Sequence, residues 1–412
     1  MALQDYTLFI YNISLLPIIF FSVLFAILTF ISLFSAKKEK KYPALENVPF
    51  VTVQIPTFND PVAERCIRHC LGFNYPKDKY EIIIADDSTN TGTIALLSGI
   101  AEKNRDMVKF FHRNSREGFK AGALKEAMPH SKGEIVVIFD ADWMPNESFL
   151  NDIVKPFSDE KVAAVQTKQG FYNKDANLIA RFASYLLMIY HTIIMPINNR
   201  LNCVFFCGTA GAIRRKHFEE VGGWNLKSIT EDSDLTVNLL LKGYRTVYLD
   251  IETPSEVPVT FEGFIRQQMR WCYGNARVFF DNAFKILLKR GLTVRQRLMI
   301  LFVTIGNAAA PIVLLMTFFG FLGWFTGEPK LMTFSDLIEM SSRIALTAGF
   351  LFIGAVTLYK RKELKDFPYF ILASLTMGIV LAAANTIAFF KAAFNRKLSW
   401  FCTPKEANTE FV

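Results

Sequence analysis

Charge is scarce in this chain. Asp, Glu, Lys and Arg make up only 20% of its 412 residues, against 51% apolar types, and mean hydropathy is +0.23. Sparse charge with so much apolar content excludes a disordered chain. The scarcity is also uneven. No charged residue falls between Asp5 and Lys37, Arg297 and Glu328, Arg343 and Lys360, or Asp366 and Lys391. The first gap exceeds the ~20 residues that cross a bilayer, and it lacks the short apolar core and cleavage site of a signal peptide, so it reads as a retained anchor. Residues 344–359 are a short span, but the flanking Arg343 and Lys360 can snorkel. Three apolar segments so close together leave no polar face for water, which disfavours buried core helices.

Cysteine is also scarce. There are six, with no CxxC and no His near them at zinc-site spacing, which excludes a disulfide scaffold and points to reduced thiols. No GxGxxG follows the first apolar strand, so a dinucleotide site is excluded too.

The 46 basic and 38 acidic side chains are nevertheless too many for an all-membrane protein. Lys37, Lys38, Lys40 and Lys41 come directly after the anchor, and the positive-inside rule places that flank and the adjoining soluble region in the cytoplasm. The net charge of +8 gathers at membrane flanks, so lipid headgroups explain it better than nucleic acid. The basic tail after residue 391 conflicts with a fourth full crossing, so 367–390 is expected to lie in the interface or turn back.

Between these segments, strand and helix patterns alternate. Strands are expected at 50–58, 80–85, 108–112, 135–139 and 162–166, with helices at 63–71, 93–103 and 119–127. This is the pattern of βαβ units and a mainly parallel sheet, whose ligands sit beyond the carboxyl ends of the strands. Residues 178–197 and 261–288 mix apolar residues with bases. They fit either helices at a membrane surface or ordinary amphipathic helices on the domain core.

Both acidic clusters fall at the strand ends. Asp140 and Asp142 leave a buried strand as Asp-x-Asp, two hard oxygen donors suited to Mg²⁺ or Mn²⁺ carrying a diphosphate. Asp86-Asp87-Ser88 can accept hydrogen bonds from a base or ribose, or simply cap a turn. Thr230-Glu231-Asp232 precedes an apolar helix; it offers either an N-cap or a general base. Gln267-Gln268-Met269-Arg270-Trp271 combines an amide, a fixed cation for pyrophosphate and an indole face for a sugar ring.

Taken in order, Asp-Asp-Ser, Asp-x-Asp, Thr-Glu-Asp and Gln-x-x-Arg-Trp resemble the signature of membrane-embedded family 2 glycosyltransferases, the group of cellulose, chitin and hyaluronan synthases. QIPTFND (54–60), ADDSTN (85–90), EGFKAGALKEAM (117–128), FCGTAGAIRR (206–215) and VGGWN (221–225) look closest to cellulose-synthase-like mannan and glucomannan synthases. The resemblance covers about residues 48–290. It implies a GT-A fold in an α/β domain with a mainly parallel sheet, interface helices and flanking transmembrane helices.

The organisation then expected is an anchor at 1–41, a cytoplasmic GT-A domain at 42–260 and interface helices with Gln-x-x-Arg-Trp at 261–297. Membrane or interface segments follow at 298–391, then a cytoplasmic tail at 392–412. By the same resemblance, Thr57, Asn59, Asp87, Lys120, Asp140, Gln267 and Arg270 would meet the nucleotide sugar, and Asp140 and Asp142 the metal. Asp232 would be the catalytic base, and Cys207, Gly208, Thr209 and Trp271 would meet the acceptor. Asn59-Asp60 replaces the Asn-Glu of many relatives. The tail Trp400-Phe401-Cys402-Thr403-Pro404-Lys405 resembles the gating loop of cellulose synthases, with Trp and Cys in place of the usual Phe and Val; Trp400, Thr403 and Lys405 are its candidate residues.

The implied activity is inverting, metal-dependent transfer from a UDP- or GDP-sugar to a growing β-linked polysaccharide at the cell membrane. The competing reading is transfer of one sugar to a lipid acceptor. A scaffold with a dead transferase domain is the third, disfavoured because every expected carboxylate is present. So few spans make a slender channel, which a second copy of the chain would complete.

Overall fold

The computed structural model describes residues 3–34, 42–43, 45, 47–327 and 333–399. Trp400, Thr403 and Lys405 lie outside them.

The α/β body is built on one seven-stranded sheet. In chain order its strands are β1 (Val51–Thr57), β2 (Tyr80–Asp86), β3 (Val108–His112), β4 (Ile135–Ile138), β5 (Val162–Phe171), β6 (Gly211–Arg214) and β7 (Arg245–Ser255). They lie in the order β3-β2-β1-β4-β6-β5-β7, and only β6 runs antiparallel to its neighbours. Helices cover both faces, which is why the central strands are apolar almost throughout. Along β1 and β4 the side chains alternate. Val51, Val53, Ile55, Ile135 and Val137 join one core with α2 (Ala63–Leu71), α3 (Thr91–Lys103) and α5 (Phe149–Ile153). Val136 and Ile138 join the opposite core with α4 (Phe119–Ala127), α8 (Arg215–Glu220) and α9 (Glu231–Lys242).

The second body is helical. It comprises α1 (Leu3–Phe34), α6 (Leu178–Ile189), α7 (Met195–Arg200), α10 (Phe261–Leu288) and α11 (Val294–Ile305). It continues with α12 (Ala309–Thr326), α13 (Phe334–Thr347), α14 (Gly349–Lys360) and α15 (Phe367–Ala393). Four stretches among the described residues are long and apolar enough to cross a membrane: 4–34, 178–200, 294–326 and 364–393. Helices α13 and α14, bent by 57° at one junction residue, form a fifth if taken together. The 178–200 stretch is 61% buried against 17–28% in the other three, so protein rather than solvent or lipid covers most of it.

Helices α1 and α12 run antiparallel through small residues. Gly320 lies against Tyr11 and Gly323 against Thr7, an approach that any larger residue would hold open. Gly349 donates its N–H to Ser22 Oγ at 2.8 Å, and Lys360 Nζ reaches Ser32 Oγ at 2.7 Å, so α14 runs parallel to the second half of α1. Helix α15 is unbroken and lies along α10, so it does not turn back on itself. Arg181 at the start of α6 pairs with Asp366 at its near end (3.5 Å), and Arg277 of α10 donates to the Ala392 carbonyl at its far end (3.0 Å). Leu398, like Met269 and Ile229, packs against the buried cluster that α10 and α15 form with Cys272, Ala276, Ala388 and Ala392.

Candidate active site

One cavity of about 1,110 Å³ opens at the carboxyl ends of β1, β2 and β4 and extends between α6, α10 and the break between α11 and α12. Of the residues expected in the site, Thr57, Asp87, Lys120, Asp140, Asp142, Cys207, Thr209, Asp232, Gln267, Arg270 and Trp271 line it.

The first pair of acids is held from behind. Asp86 is fully buried and accepts from Thr57 Oγ1 (2.7 Å) and Ser88 Oγ (2.6 Å), with His112 Nδ1 at 2.7 Å. Asp87 is gripped by Arg113 through Nε and Nη2, at 2.7 and 2.6 Å. This fork-to-carboxylate pair fixes the orientation of Asp87 more rigidly than a point charge could. The Arg113 side chain is 2% exposed and also reaches Glu126 at 2.7 Å. Arg113 was not foreseen: it follows β3 with no motif around it, and only the parallel β2–β3 pairing brings it to Asp87. Asn59 takes the left-handed φ of +52° that Asn tolerates, and its Oδ1 accepts the N–H groups of Thr89 and Asn90, each at 2.8 Å. Its amide ties β1 to β2 instead of lining the cavity.

Lys120 joins three motifs. Its Nζ lies 2.6 Å from Asp140 Oδ1 and donates to the Gly208 carbonyl at 2.9 Å. Burial pulls its ammonium down, but Asp140 and Glu231 outweigh this and the net shift is upward. Thr209 Oγ1 accepts the Asp140 N–H at 2.9 Å. Asp142 is buried, and its Oδ2 accepts the Glu256 N–H at 3.0 Å.

No group of three His, Cys, Asp or Glu able to hold a metal occurs among the described residues. The donor set is therefore two hard carboxylates lining the cavity, Asp140 and the more deeply buried Asp142. That fits an Mg²⁺-like or Mn²⁺-like ion that takes its remaining ligands from a diphosphate and water; it does not fit a closed protein cage.

The acid pair opposite sits at the start of α9. Burial pushes Glu231 up to about 7, with Asp232 adding to the shift. Burial also raises Asp232, while Lys120 and Arg270 oppose it. Asp232 Oδ1 accepts the Ser233 N–H at 2.7 Å. Gly208, at φ +72°, sits so close that an added methyl would come 3.0 Å from Asp232 Oδ2. Thr230 occupies the N-cap position of α9 but makes no capping bond, so the N-cap reading of Thr-Glu-Asp fails at that residue. Gly274 explains how α10 fits here, because a Cβ at that position would lie 2.2 Å from Thr230 Cγ2.

Two further features were not foreseen. Residues 190–194 form a π-helical turn, a bulge that recurs at functional sites, and it turns Tyr190 and His191 into the cavity. On α10, Asn275 stands one turn beyond Trp271 and also lines the cavity. The spacing of α10 could have revealed Asn275; no local signal marks the π-turn.

Residues 135–362 match the model of "Glycosyl transferase family group 2". Glucomannan 4-beta-mannosyltransferase 9 of Arabidopsis thaliana is 32% identical over 297 residues, covering 67% of this chain and 56% of that protein. Glucomannan 4-beta-mannosyltransferase 1 of Oryza sativa subsp. japonica is 34% identical over 266 residues, 62% of this chain and 51% of that one. The chain thus spans about half the length of the curated relatives it matches. The mannosyltransferase PcManGT from Pyrobaculum calidifontis, solved with GDP-Man and Mn²⁺, aligns over 96% of this chain and 99% of its own, with TM-score 0.64 and 20% identity. The fold is the GT-A type expected, and the chain belongs to glycosyl transferase family group 2.

Proposed function

We propose that the chain is an inverting, metal-dependent glycosyltransferase that extends a β-linked polysaccharide of the glucomannan type from a GDP-sugar, GDP-mannose foremost. The observation that carries this is the placing of Asp232 against Gly208 in one cavity with Asp140, Lys120 and Arg270. The curated relatives and the GDP-Man-bound neighbour support mannose and guanine over the alternatives.

The donor's nucleoside lies at Thr57 and Asp87, and its diphosphate at Lys120 and Arg270. A divalent cation, Mg²⁺ or Mn²⁺, held by Asp140 and Asp142, supplies charge neutralisation at the diphosphate. Gln267 and Trp271 face the sugars, and the Cys207-Gly208-Thr209 loop receives the acceptor end. Asp232 takes the proton of the acceptor hydroxyl as that oxygen bonds to the anomeric carbon. The bond from that carbon to the diphosphate oxygen breaks, and the nucleoside diphosphate leaves with its electron pair. Lys120 and Arg270 offset the charge that develops there. One displacement with one base inverts the anomeric centre, and no second carboxylate nucleophile is needed.

We place the soluble domain and α10 on the cytoplasmic side, with α1, α11–α12 and the bent α13–α14 pair crossing the membrane. Helix α15 stays in the interface, because both its ends are tied to helices that border the domain. Incubating the lipid-reconstituted chain with labelled GDP- and UDP-sugars and sizing the product tests the whole reading. A mannose-containing ladder from GDP-mannose is expected. A single glycolipid, or turnover only of UDP-sugars, overturns it.

A further inference from the structure

The elbow between α10 and α11 plays no part in the mechanism above, yet it has an unusual surface. No Asp or Glu occurs between Asp281 and Glu328, while Lys285, Lys289, Arg290, Arg295 and Arg297 all fall within thirteen residues. Among the described residues, the side chains of Lys289, Arg290 and Arg295 make no ion pair and no hydrogen bond, while Arg297 donates to the Lys289 carbonyl at 2.7 Å. Beside them, large apolar side chains stand out: Phe284 is 79% exposed, Leu288 78%, Val294 66% and Leu298 61%. The elbow is not slack. Ile286, Leu292 and Ile300 are buried in the helical core, and a capping box of Thr293 and Gln296 starts α11. A rigid elbow therefore presents bulky apolar groups and bases together.

The apolar stripe also continues. Phe280, one turn before Phe284, lies 6.0 Å from Phe389, which helps to line an apolar groove of about 750 Å³ between α12 and α15. A soluble polyanion would satisfy the bases but leave Phe284 and Leu288 in water. A neutral bilayer would cover the apolar groups and leave the bases unpaired. Only a ligand with a negative head and an apolar body satisfies both.

We propose that the α10–α11 elbow is a binding site for anionic phospholipid, with phosphate at Lys289, Arg290 and Arg295 and acyl chains against Phe284, Leu288 and the α12–α15 groove. Through it the leaflet's charge holds the far end of the helix that carries Gln267, Arg270 and Trp271.

The test uses the full chain and a triple variant, Lys289→Gln/Arg290→Gln/Arg295→Gln. Each is reconstituted in phosphatidylcholine alone and in phosphatidylcholine mixed with phosphatidylglycerol. Retention of fluorescent phosphatidylglycerol by the detergent-solubilised protein is read first, independently of any transfer reaction. Wild type should retain it in preference to phosphatidylcholine. The variant should lose roughly fivefold in affinity per base removed, an effect that shrinks with salt. Wild-type transfer should rise several-fold when phosphatidylglycerol is added, and the variant should stay at its phosphatidylcholine level. Equal retention of both lipids by wild type overturns the proposal. So does tight binding of a single-stranded oligonucleotide that the triple variant abolishes, which would make the elbow a general polyanion site.

Discussion

The two ends of the cavity, donor and acceptor on the proposed mechanism, use the same residue types in different ways. At the donor end, Asp86, Asp87 and Asp142 are each fixed by a hydrogen bond from the protein, and Asp140 is held by Lys120. At the acceptor end, Glu231 and Asp232 are pushed upward by burial, while Thr230 Oγ1, Gln267 Oε1 and Asn275 Oδ1 are buried with no hydrogen-bond partner among the described residues. A buried polar atom left unpaired costs free energy. On the proposed mechanism the donor end is set before substrate arrives, and the acceptor end leaves these oxygens for incoming hydroxyls to satisfy.

The largest effect that can break this comparison is at Asp232. Asp232→Asn should lower transfer by ~10²–10⁴-fold while nucleotide binding stays near wild type, as titration calorimetry with the nucleoside diphosphate would measure. Turnover close to wild type removes Asp232 as the base. The upward shift of Asp232 sets a sign for pH. A base must be deprotonated, so transfer falls as pH drops through its raised value, and the acid limb lies above the ordinary Asp value. A rate unchanged down to the ordinary Asp pKa of about 3.9 would contradict that placement.

At the donor end the expected cost is in stability. Arg113→Met leaves the buried Asp87 without its partner, which should cost about 3–5 kcal/mol and raise the donor KM. Thermal unfolding of the solubilised protein measures the first part. An unchanged midpoint would mean that the donor end does not depend on its internal ion pairs.

Gly274→Ala acts on the seam between α10 and the start of α9. Its methyl meets Thr230, and overpacking of this kind costs typically about 1–3 kcal/mol. A lower kcat with an unchanged donor KM is expected, because the strain falls beside Asp232. The smallest effect should come from Asn275→Ala, which removes an unpaired buried carbonyl oxygen. Acceptor KM should rise a few-fold while stability holds or improves slightly, and a marked loss of stability would sink the idea that Asn275 is kept for substrate.

Much of the α/β half was legible in the sequence. Helices α2, α4 and α10 and strand β3 begin and end where expected, because apolar periodicity and local breakers agree there. Strands β6 and β7 were missed. The first is four residues including a glycine; the second carries Asp250 and Glu252 amid its apolar residues and pairs with β5 through two register shifts. Gaps in charge found the apolar segments but not their breaks. The Thr293–Gln296 capping box starts α11 before Arg295 and Arg297, and packing of Gly349 on Ser22 accompanies the bend between α13 and α14. Motif order located the acids at the site, while their partners came from elsewhere in the chain. Arg113 and Gly274 carry no motif and acquire their meaning only from tertiary contact.

The single antiparallel strand also governs the order in which the protein can fold during synthesis. Among the described residues, strand β5 pairs only with β6 and β7, which begin 40 and 74 residues after it ends. The donor half, from β1 to β4, can close on itself as soon as residue 138 has emerged. The acceptor half must wait for residue 255, with β5 held open as a bare edge in the meantime. Such non-local pairing is slow and prone to aggregation. A pause or truncation between β5 and β7 should therefore leave a chain with its donor half formed and no means of transfer.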